Sequence, residues 1–98
     1  MFLKEYISEF NYNLILETYN EDFLNSIDKI NFIEIYELLK EKNITCIEDI
    51  IVNYLELFTC DKTILEKRID KLINTLGNNY NELINNNLSL LNELIKED

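Results

Sequence analysis

The sequence predicts an all-α domain of six to seven short helices, arranged as a compact, repeat-like stack of helical hairpins. Three observations support this fold class. The 98-residue chain has no proline and a single glycine, which suits helices and leaves too few turn residues for a barrel or sandwich. Its apolar residues recur at helical spacing. Residues 35–58 also resemble residues 69–91 at offsets of 34 and then 33 positions, as expected for stacked units that cannot bury their apolar faces alone.

The length is sufficient for one domain, which we expect to span residues 1–98. N-terminal helices are expected over residues 1–34, followed by two similar helical units over residues 35–60 and 61–98. In the near-repeat, Ile35 and Leu38 of the first unit correspond to Ile69 and Leu72 of the second.

The N-terminal region predicts two helices. Apolar residues at helical spacing predict the first over residues 2–14, loosened around residues 11–13, with Tyr6 and Phe10 in the core. Asn20 is followed by two acidic residues, which predicts an N-cap and the start of a second, short helix. That helix is expected to bury Phe23, Leu24, Ile27 and Ile30.

The first unit contains two predicted helix starts. Asn31, with Glu34 three residues later, predicts the start of one helix, and Asn43 predicts its end. Thr45 and Glu48 have the spacing of a capping box, in which each side chain satisfies a backbone donor. This box is expected to open an amphipathic segment over residues 47–58.

The second unit repeats this punctuation. Asp61 predicts the N-cap of a long helix that ends at Gly77. Asn79, with Glu82 three residues later, predicts the start of a short helix. A polar break over residues 85–87 then precedes a last helix over residues 88–95.

The charge is strongly acidic and unevenly distributed. The net charge of -10 comes from 12 acids against 4 bases in residues 1–60, giving -8, and 7 against 5 in residues 61–98, giving -2. Phosphate binding depends on Lys and Arg, so direct binding to nucleic acid is not expected. An acidic field keeps a small protein in solution and accelerates its encounter with a basic surface.

The composition does not indicate catalysis. The chain has no histidine, no glycine-rich loop and no nucleophile paired with a base, so we expect neither an enzyme nor a bound metal or cofactor. Cys46 and Cys60 are too few for a disulfide framework or a zinc site and are expected to be reduced. With no signal-peptide pattern and no apolar run of about 18–20 residues, we expect a cytoplasmic protein that does not contact membranes.

Acidic residues form the predicted partner-binding surface. Carboxylates at positions 34, 37 and 41 follow the spacing i, i+3 and i+7, which places them along one exposed side of a helix. Further acids lie in the same half of the chain, and two tyrosines fall out of phase with their apolar neighbours. An alternative interpretation is a solvated surface that only maintains solubility. The predicted set is Glu34, Glu37, Glu41, Glu48, Asp49, Glu56, Tyr12 and Tyr19.

A basic cluster lies in the second unit. Lys67, Arg68 and Lys71 would contact phosphates if the chain bound nucleic acid. Glu66 and Asp70 on the same helix offer opposite charges. We therefore expect ordinary surface ion pairs within this helix.

Two segments carry a family resemblance: LLKEKNITCIEDIIVNYLELFTC and LEKRIDKLINTLGNNYNELINNNLSLLNELI. Their pattern resembles the helical repeat of the mitochondrial transcription termination factor family, in which a helix, a short turn and a second helix lead to a terminal apolar pair, here Leu90 and Leu91. The resemblance covers residues 35–95 and implies stacked helices. The family's basic concave face and its proline before the terminal apolar residues are not matched by this acidic, proline-free chain.

These features predict a small acidic protein that binds another protein. The specific prediction is an inhibitor or decoy whose acidic face occupies the positively charged nucleic-acid channel of its partner. In charge and length the chain resembles anti-CRISPR and other phage-encoded counter-defence proteins, which would act in the host cytoplasm. The alternative is a helical scaffold or adaptor, including a homo-oligomer that buries apolar surface against a second copy. A third class is a nucleic-acid-binding helical repeat that uses the second half of the chain.

Overall fold

The structure is a computed structural model that describes residues 1–95. It consists of short helices. In that part of the chain every regular element is helical, which confirms the all-α prediction. The last three residues of the second predicted unit lie outside the described residues. The elements are the 3₁₀ helix η1 (Phe2–Glu5), α1 (Glu9–Thr18), α2 (Glu21–Ser26), α3 (Lys29–Glu41), α4 (Ile47–Asn53), the 3₁₀ helix η2 (Leu55–Thr59), α5 (Lys62–Leu76), α6 (Tyr80–Asn86), the 3₁₀ helix η3 (Leu88–Leu91) and α7 (Asn92–Ile95).

The N-terminal break falls at Ser8, earlier than the predicted loosening at residues 11–13. The Ser8 side chain accepts a hydrogen bond from the backbone N–H of Asn11 at 3.2 Å and starts a new helix. This restart sets a new helical phase for α1. Phe10 is therefore 73% exposed, and its assignment to the core was wrong, whereas Ile15 is fully buried.

The start of α3 also lies earlier than predicted. Asn20 caps α2 as expected, with Oδ1 accepting from the N–H of Phe23 at 2.7 Å. Asp28 rather than Asn31 then caps α3, because its carboxylate accepts from the N–H of Asn31 at 2.8 Å. Ile30 thus belongs to α3 instead of α2 and is 69% exposed, so its predicted burial was also wrong.

The predicted ends of α3 and α5 are confirmed. At the end of α3, Asn43 adopts a positive φ of 61°, and the backbone N–H of Ile44 donates to the carbonyl of Leu39 at 3.0 Å. This is the Schellman arrangement, in which a left-handed residue satisfies the last helical carbonyls. Gly77 ends α5 with φ 83° and ψ -162°, a positive-φ conformation that glycine adopts more readily than other residues.

The predicted capping box at α4 is absent. Cys46 occupies the N-cap position without a side-chain hydrogen bond. Thr45 instead contacts α6: its backbone N–H donates to Oδ1 of Asn81 at 3.0 Å, and its Oγ1 accepts from Nδ2 of Asn81 at 3.0 Å. Glu48 accepts from the backbone N–H of Ser8 at 2.5 Å. Both side chains therefore link distant parts of the chain rather than closing a local motif.

Side-chain capping in the second unit is also partial. Asp61 caps α5 as predicted, through Oδ1 and the N–H of Ile64 at 3.1 Å. Asn79 stands directly before α6 without a side-chain cap.

The order of long helix, seven-residue helix and short 3₁₀ helix occurs twice, as α3–α4–η2 and as α5–α6–η3. The boundary between residues 34 and 35 falls inside α3. Ile35 and its counterpart Ile69 are both buried, as are Ile51 and Ile84. α3 packs against α5, and α7 packs against η2.

One continuous apolar core joins all of these elements. Phe32 of α3 stacks on Phe58 of η2 with ring centroids 4.7 Å apart, and Phe2 and Tyr6 each meet Phe32 edge-on at 5.2 Å. Within residues 1–95 no polar or charged side chain is fully buried. The N-terminal elements and both units therefore share the same interior.

The longest helix in the described part of the chain is α5, with 15 residues. No helix among residues 1–95 is long and apolar enough to cross a bilayer.

Candidate functional site

The outer side of α3 carries three of the predicted binding residues. Glu34, Glu37 and Glu41 are exposed and follow the helical spacing i, i+3 and i+7, so their side chains leave the same side of the helix. Ile30 lies on this side as well, four residues before Glu34, and is 69% exposed. We call these four residues the α3 face.

The opposite side of α3 fixes the α3 face in position. It buries four apolar side chains within the core, and α3 contacts η2, α4 and α5. Because buried side chains in a packed core are held in defined rotamers, the helix provides a firm support for its exposed carboxylates. The buried residues are Phe32, Ile35, Leu38 and Leu39.

The carboxylates of the α3 face do not pair within the described chain. Glu34, Glu37 and Glu41 make neither an ion pair nor a side-chain hydrogen bond with any residue from 1 to 95. The cation next to them, Lys40, places its Nζ 5.6 Å from the ring centroid of Tyr36. The three charges are therefore available to an external group.

The other predicted acids do not join the α3 face as one patch. The Glu48 carboxylate accepts a hydrogen bond from the backbone N–H of Ser8, at the start of α1. The Glu56 carboxylate accepts one from the hydroxyl of Tyr19, at the end of α1, at 3.4 Å. A ten-residue helix is about 15 Å long, so these two carboxylates lie well apart. Asp49 is exposed in the first turn of α4.

The two predicted tyrosines are half-buried and pack against the core. Tyr12 lies beneath the Nζ of Lys4, 5.1 Å from its ring centroid. The Tyr19 hydroxyl accepts from the N–H of Leu55 at 3.3 Å and donates to Glu56. Burial raises the pKa of Tyr19, and the nearby Glu56 charge adds to this, against the hydrogen bond from Leu55. Tyr19 therefore holds α1 to the α4–η2 junction in the folded chain.

The acids predicted to form ion pairs within α5 instead pair with Lys42, the residue that follows α3. Lys42, just after α3, places Nζ 2.8 Å from Asp70 and 3.5 Å from Glu66. The hydrogen bond with Asp70 raises the pKa of Lys42. Asp70 and Glu66 therefore serve the contact between the two units. Lys67 and Lys71 form no ion pair with the carboxylates of residues 1–95.

Neither cysteine forms a disulfide. Cys46 and Cys60 are free and half-buried, and burial raises the pKa of both thiols above the ordinary value of 9.0. A raised pKa reduces the thiolate fraction at neutral pH. In this setting the two side chains act as small apolar groups beside helix starts.

Across the described residues no three His, Cys, Asp or Glu side chains converge on a site that could hold a metal ion. What the α3 face offers chemically is a row of fixed negative charges beside one apolar contact. Such a surface can attract and orient a cationic group.

Sequence patterns missed two exposed apolar residues, Ile30 on the α3 face and Phe10 on α1. Asp28 was the available signal for Ile30, because an N-cap at that position shifts Ile30 away from the buried stripe. Ser8 was the corresponding signal for Phe10.

Comparisons with family models, with curated protein sequences and with solved structures find no match to this chain. The resemblance of residues 35–95 to mitochondrial transcription termination factor repeats stays a prediction from the sequence.

Proposed function

We propose that this chain binds another protein through the α3 face and acts as an inhibitor or decoy on a basic, nucleic-acid-handling partner. The supporting observation is the row of three exposed carboxylates that have no partner among residues 1–95, on a helix anchored in the core. The net charge of -10 acts in the same direction, because it steers the chain toward a positive surface and away from nucleic acid itself.

The dimensions of the α3 face fit a contact with a few lysine or arginine side chains. Glu34 and Glu41 are seven residues apart, which corresponds to about 10 Å along a helix. The three carboxylates are therefore about 5 Å apart along the helix axis. This spacing is closer to the axial spacing of phosphates in one DNA strand, about 3.4 Å, than to the spacing of charges in the duplex, about 1.7 Å. Ile30 adds an apolar contact at one end, where its exposed side chain can leave water on binding.

A functional role in counter-defence, of the kind that phage-encoded anti-CRISPR proteins perform, is part of this proposal. Small size, acidic charge and the absence of a histidine or a paired nucleophile suit an inhibitor that acts by occupying a site. Free thiols fit a reducing compartment such as the cytoplasm.

The test is affinity capture from a lysate of the source cell at low and at high salt, with identification by mass spectrometry. The Debye length falls from about 10 Å at 0.1 M salt to about 3 Å at 1 M, so a charge-driven complex should be captured only at low salt. The triple variant Glu34→Lys, Glu37→Lys and Glu41→Lys should lose the partner while keeping its helical circular dichroism.

A matched control separates the α3 face from overall charge. Glu5, Glu17 and Glu82 are exposed acids on other elements, and changing all three to lysine alters the net charge by the same amount. This control should still capture the partner. If both triple variants lose it equally, or if capture resists high salt, the α3 face is not the binding site.

The second candidate function is a scaffold or self-assembling module, and two exposed apolar residues on α1 favour it. Phe10 is 73% exposed and Leu16 is 49% exposed. Such side chains are energetically important when an interface covers them. If Phe10→Ser and Leu16→Ser together abolish capture while the α3 variant retains it, the scaffold function replaces the decoy.

A further inference from the structure

A groove lies along α5, between this helix, η3 and α7. In contrast to the acidic α3 face, it is lined mainly by basic and apolar side chains. Its volume is about 550 Å³, within the range of about 300–1,000 Å³ typical of small-molecule sites. Basic side chains line one edge of the groove, and leucines form its floor. Its lining residues are Lys67, Arg68, Lys71, Leu72, Thr75, Leu76, Leu90 and Glu93.

The basic edge brings two lysines onto one side of α5. Lys67 and Lys71 are four residues apart on α5, so their Cβ atoms lie about 5–6 Å from each other and both ammonium groups can reach a single acid group. Arg68 donates from Nη1 to the carbonyl of Leu94 at 3.0 Å, which holds its guanidinium at the α7 side of the groove. Glu93 also lines the groove, so three positive side chains and one negative side chain meet there.

The floor is suited to an apolar tail. Leu72 and Leu76 follow each other by one turn of α5, and Leu90 of η3 closes the groove with them. Lys67 and Leu76, at the two ends of the α5 edge, are nine residues apart, or about 14 Å along the helix. Leu76 and Leu90 are only half-buried in the free chain, so apolar surface remains to be covered.

We infer that this groove binds a small amphiphilic anion, with its acid group between Lys67 and Lys71 and its apolar body on the leucine floor. The class includes medium-chain carboxylates and arylsulfonates. The site is independent of the α3 face and of the protein partner proposed above.

The charge distribution favours a small, free anion over a polyanion or a membrane. At physiological salt the Debye length is about 8 Å, so a single acid group held at the basic edge responds mainly to the charges of the groove itself. A nucleic acid or an anionic bilayer extends beyond the groove and meets the field of a chain whose net charge is -10.

Titration with decanoate below its micelle concentration, followed by amide and leucine-methyl NMR, tests the inference. Shifts should saturate at one decanoate per chain and centre on α5, η3 and α7. Decanol and decyltrimethylammonium have the same tail without a negative charge, and acetate has the charge without the tail. Each should bind at least about tenfold more weakly, since a tenfold loss corresponds to about 1.4 kcal/mol.

Variants locate the charges that matter. Lys67→Glu with Lys71→Glu should weaken decanoate binding by about tenfold or more, as expected when charge-assisted contacts are reversed. The double variant Lys29→Glu with Lys62→Glu makes the same charge change at exposed lysines outside the groove and should bind as the wild type does. Thermal melts confirm that both variants fold.

Several results would overturn the inference. Equal binding of decanol or of decyltrimethylammonium would show that the tail alone is recognised. Equal loss in both double variants would assign the effect to net charge. Shifts centred on α1, or tighter binding to a single-stranded oligonucleotide or an anionic vesicle than to decanoate, would assign the basic edge to another ligand.

Discussion

Replacing Asn31 by aspartate tests the observed start of α3 against the start that the sequence pattern predicts. In the structure Asn31 lies inside α3, and its Nδ2 donates to the carbonyls of Phe58 at 2.9 Å and Cys60 at 3.0 Å. Aspartate has nearly the same size, but its carboxylate only accepts hydrogen bonds. Both carbonyls would lose their donor and face a negative charge.

The expected loss of stability is large for one substitution. Each intramolecular hydrogen bond contributes about 0.5–1.5 kcal/mol net, and an unsatisfied, partly buried carbonyl adds to the cost, so Asn31→Asp should lower the free energy of unfolding by about 2–3 kcal/mol. In a domain of this size that corresponds to a fall of about 10–20 °C in Tm. Below about pH 4 the carboxyl group protonates and regains one donor, so the difference from the wild type should narrow.

Urea denaturation followed by far-UV circular dichroism measures this loss. Asn20→Asp provides the control with the same charge change, because Asn20 is the N-cap of α2 and aspartate caps about as well as asparagine. It should stay within about 0.5 kcal/mol of the wild type, whereas Asp28→Ala should cost about 1 kcal/mol. If Asn31→Asp is as stable as the wild type and Asp28→Ala is neutral, α3 starts at Asn31 and our account of its N-terminus is refuted.

Three further predictions follow from burial and from the pKa shifts. Phe10→Ser should change the free energy of unfolding by less than about 0.5 kcal/mol because Phe10 is exposed, whereas Phe32→Ala should cost about 3–5 kcal/mol in the same urea assay. Burial raises the pKa of Cys46, Cys60 and Tyr19, so the folded state favours the protonated forms of these side chains. The urea midpoint of unfolding should therefore stay level from neutral pH to about pH 9 and fall at higher pH. A rise of the midpoint above about pH 9 would contradict these pKa shifts. The same shifts predict that iodoacetamide alkylates both thiols more slowly than free cysteine at neutral pH and at the free-cysteine rate in concentrated urea, as followed by mass spectrometry.

Local signals in the sequence determined most helix ends correctly. Asn20, Asp61 and Gly77 act where the pattern placed them, because a cap or a left-handed turn depends on only a few neighbouring residues. The errors arose where two local signals compete. Asp28 and Asn31 are both residue types that cap helices well. Spacing alone does not reveal that the side chain of Asn31 donates to the backbone carbonyl of Phe58, 27 residues later.

Helical phase explains the wrong burial predictions. The spacing of Tyr6 and Phe10 predicts a single apolar stripe, but Ser8 begins a new helix between them and turns Phe10 outward. A pattern of period 3.6 remains valid only as long as the helix continues.

The candidate site was predictable in part for the same reason. The alignment of Glu34, Glu37 and Glu41 follows from spacing within one helix, and the structure reproduces it. The engagement of Glu48 with Ser8 and of Glu56 with Tyr19 depends on tertiary packing across 40 and 37 residues. Such contacts leave no mark on local periodicity, so the sequence did not separate these acids from the exposed ones.

Lys42, which directly follows α3, connects α3 to two helices of the second unit. Its ammonium group forms ion pairs with Asp70 and Glu66 of α5, and its backbone carbonyl accepts a hydrogen bond from the hydroxyl of Tyr80 in α6. In many repeat proteins each unit contacts only its neighbours, and a terminal unit can unravel alone. Because of the Lys42 contacts and the shared core, we expect residues 62–95 to separate from α3 as a whole. Amide hydrogens of α3 and α5 should therefore exchange with solvent through one cooperative opening, with the same free energy in both helices.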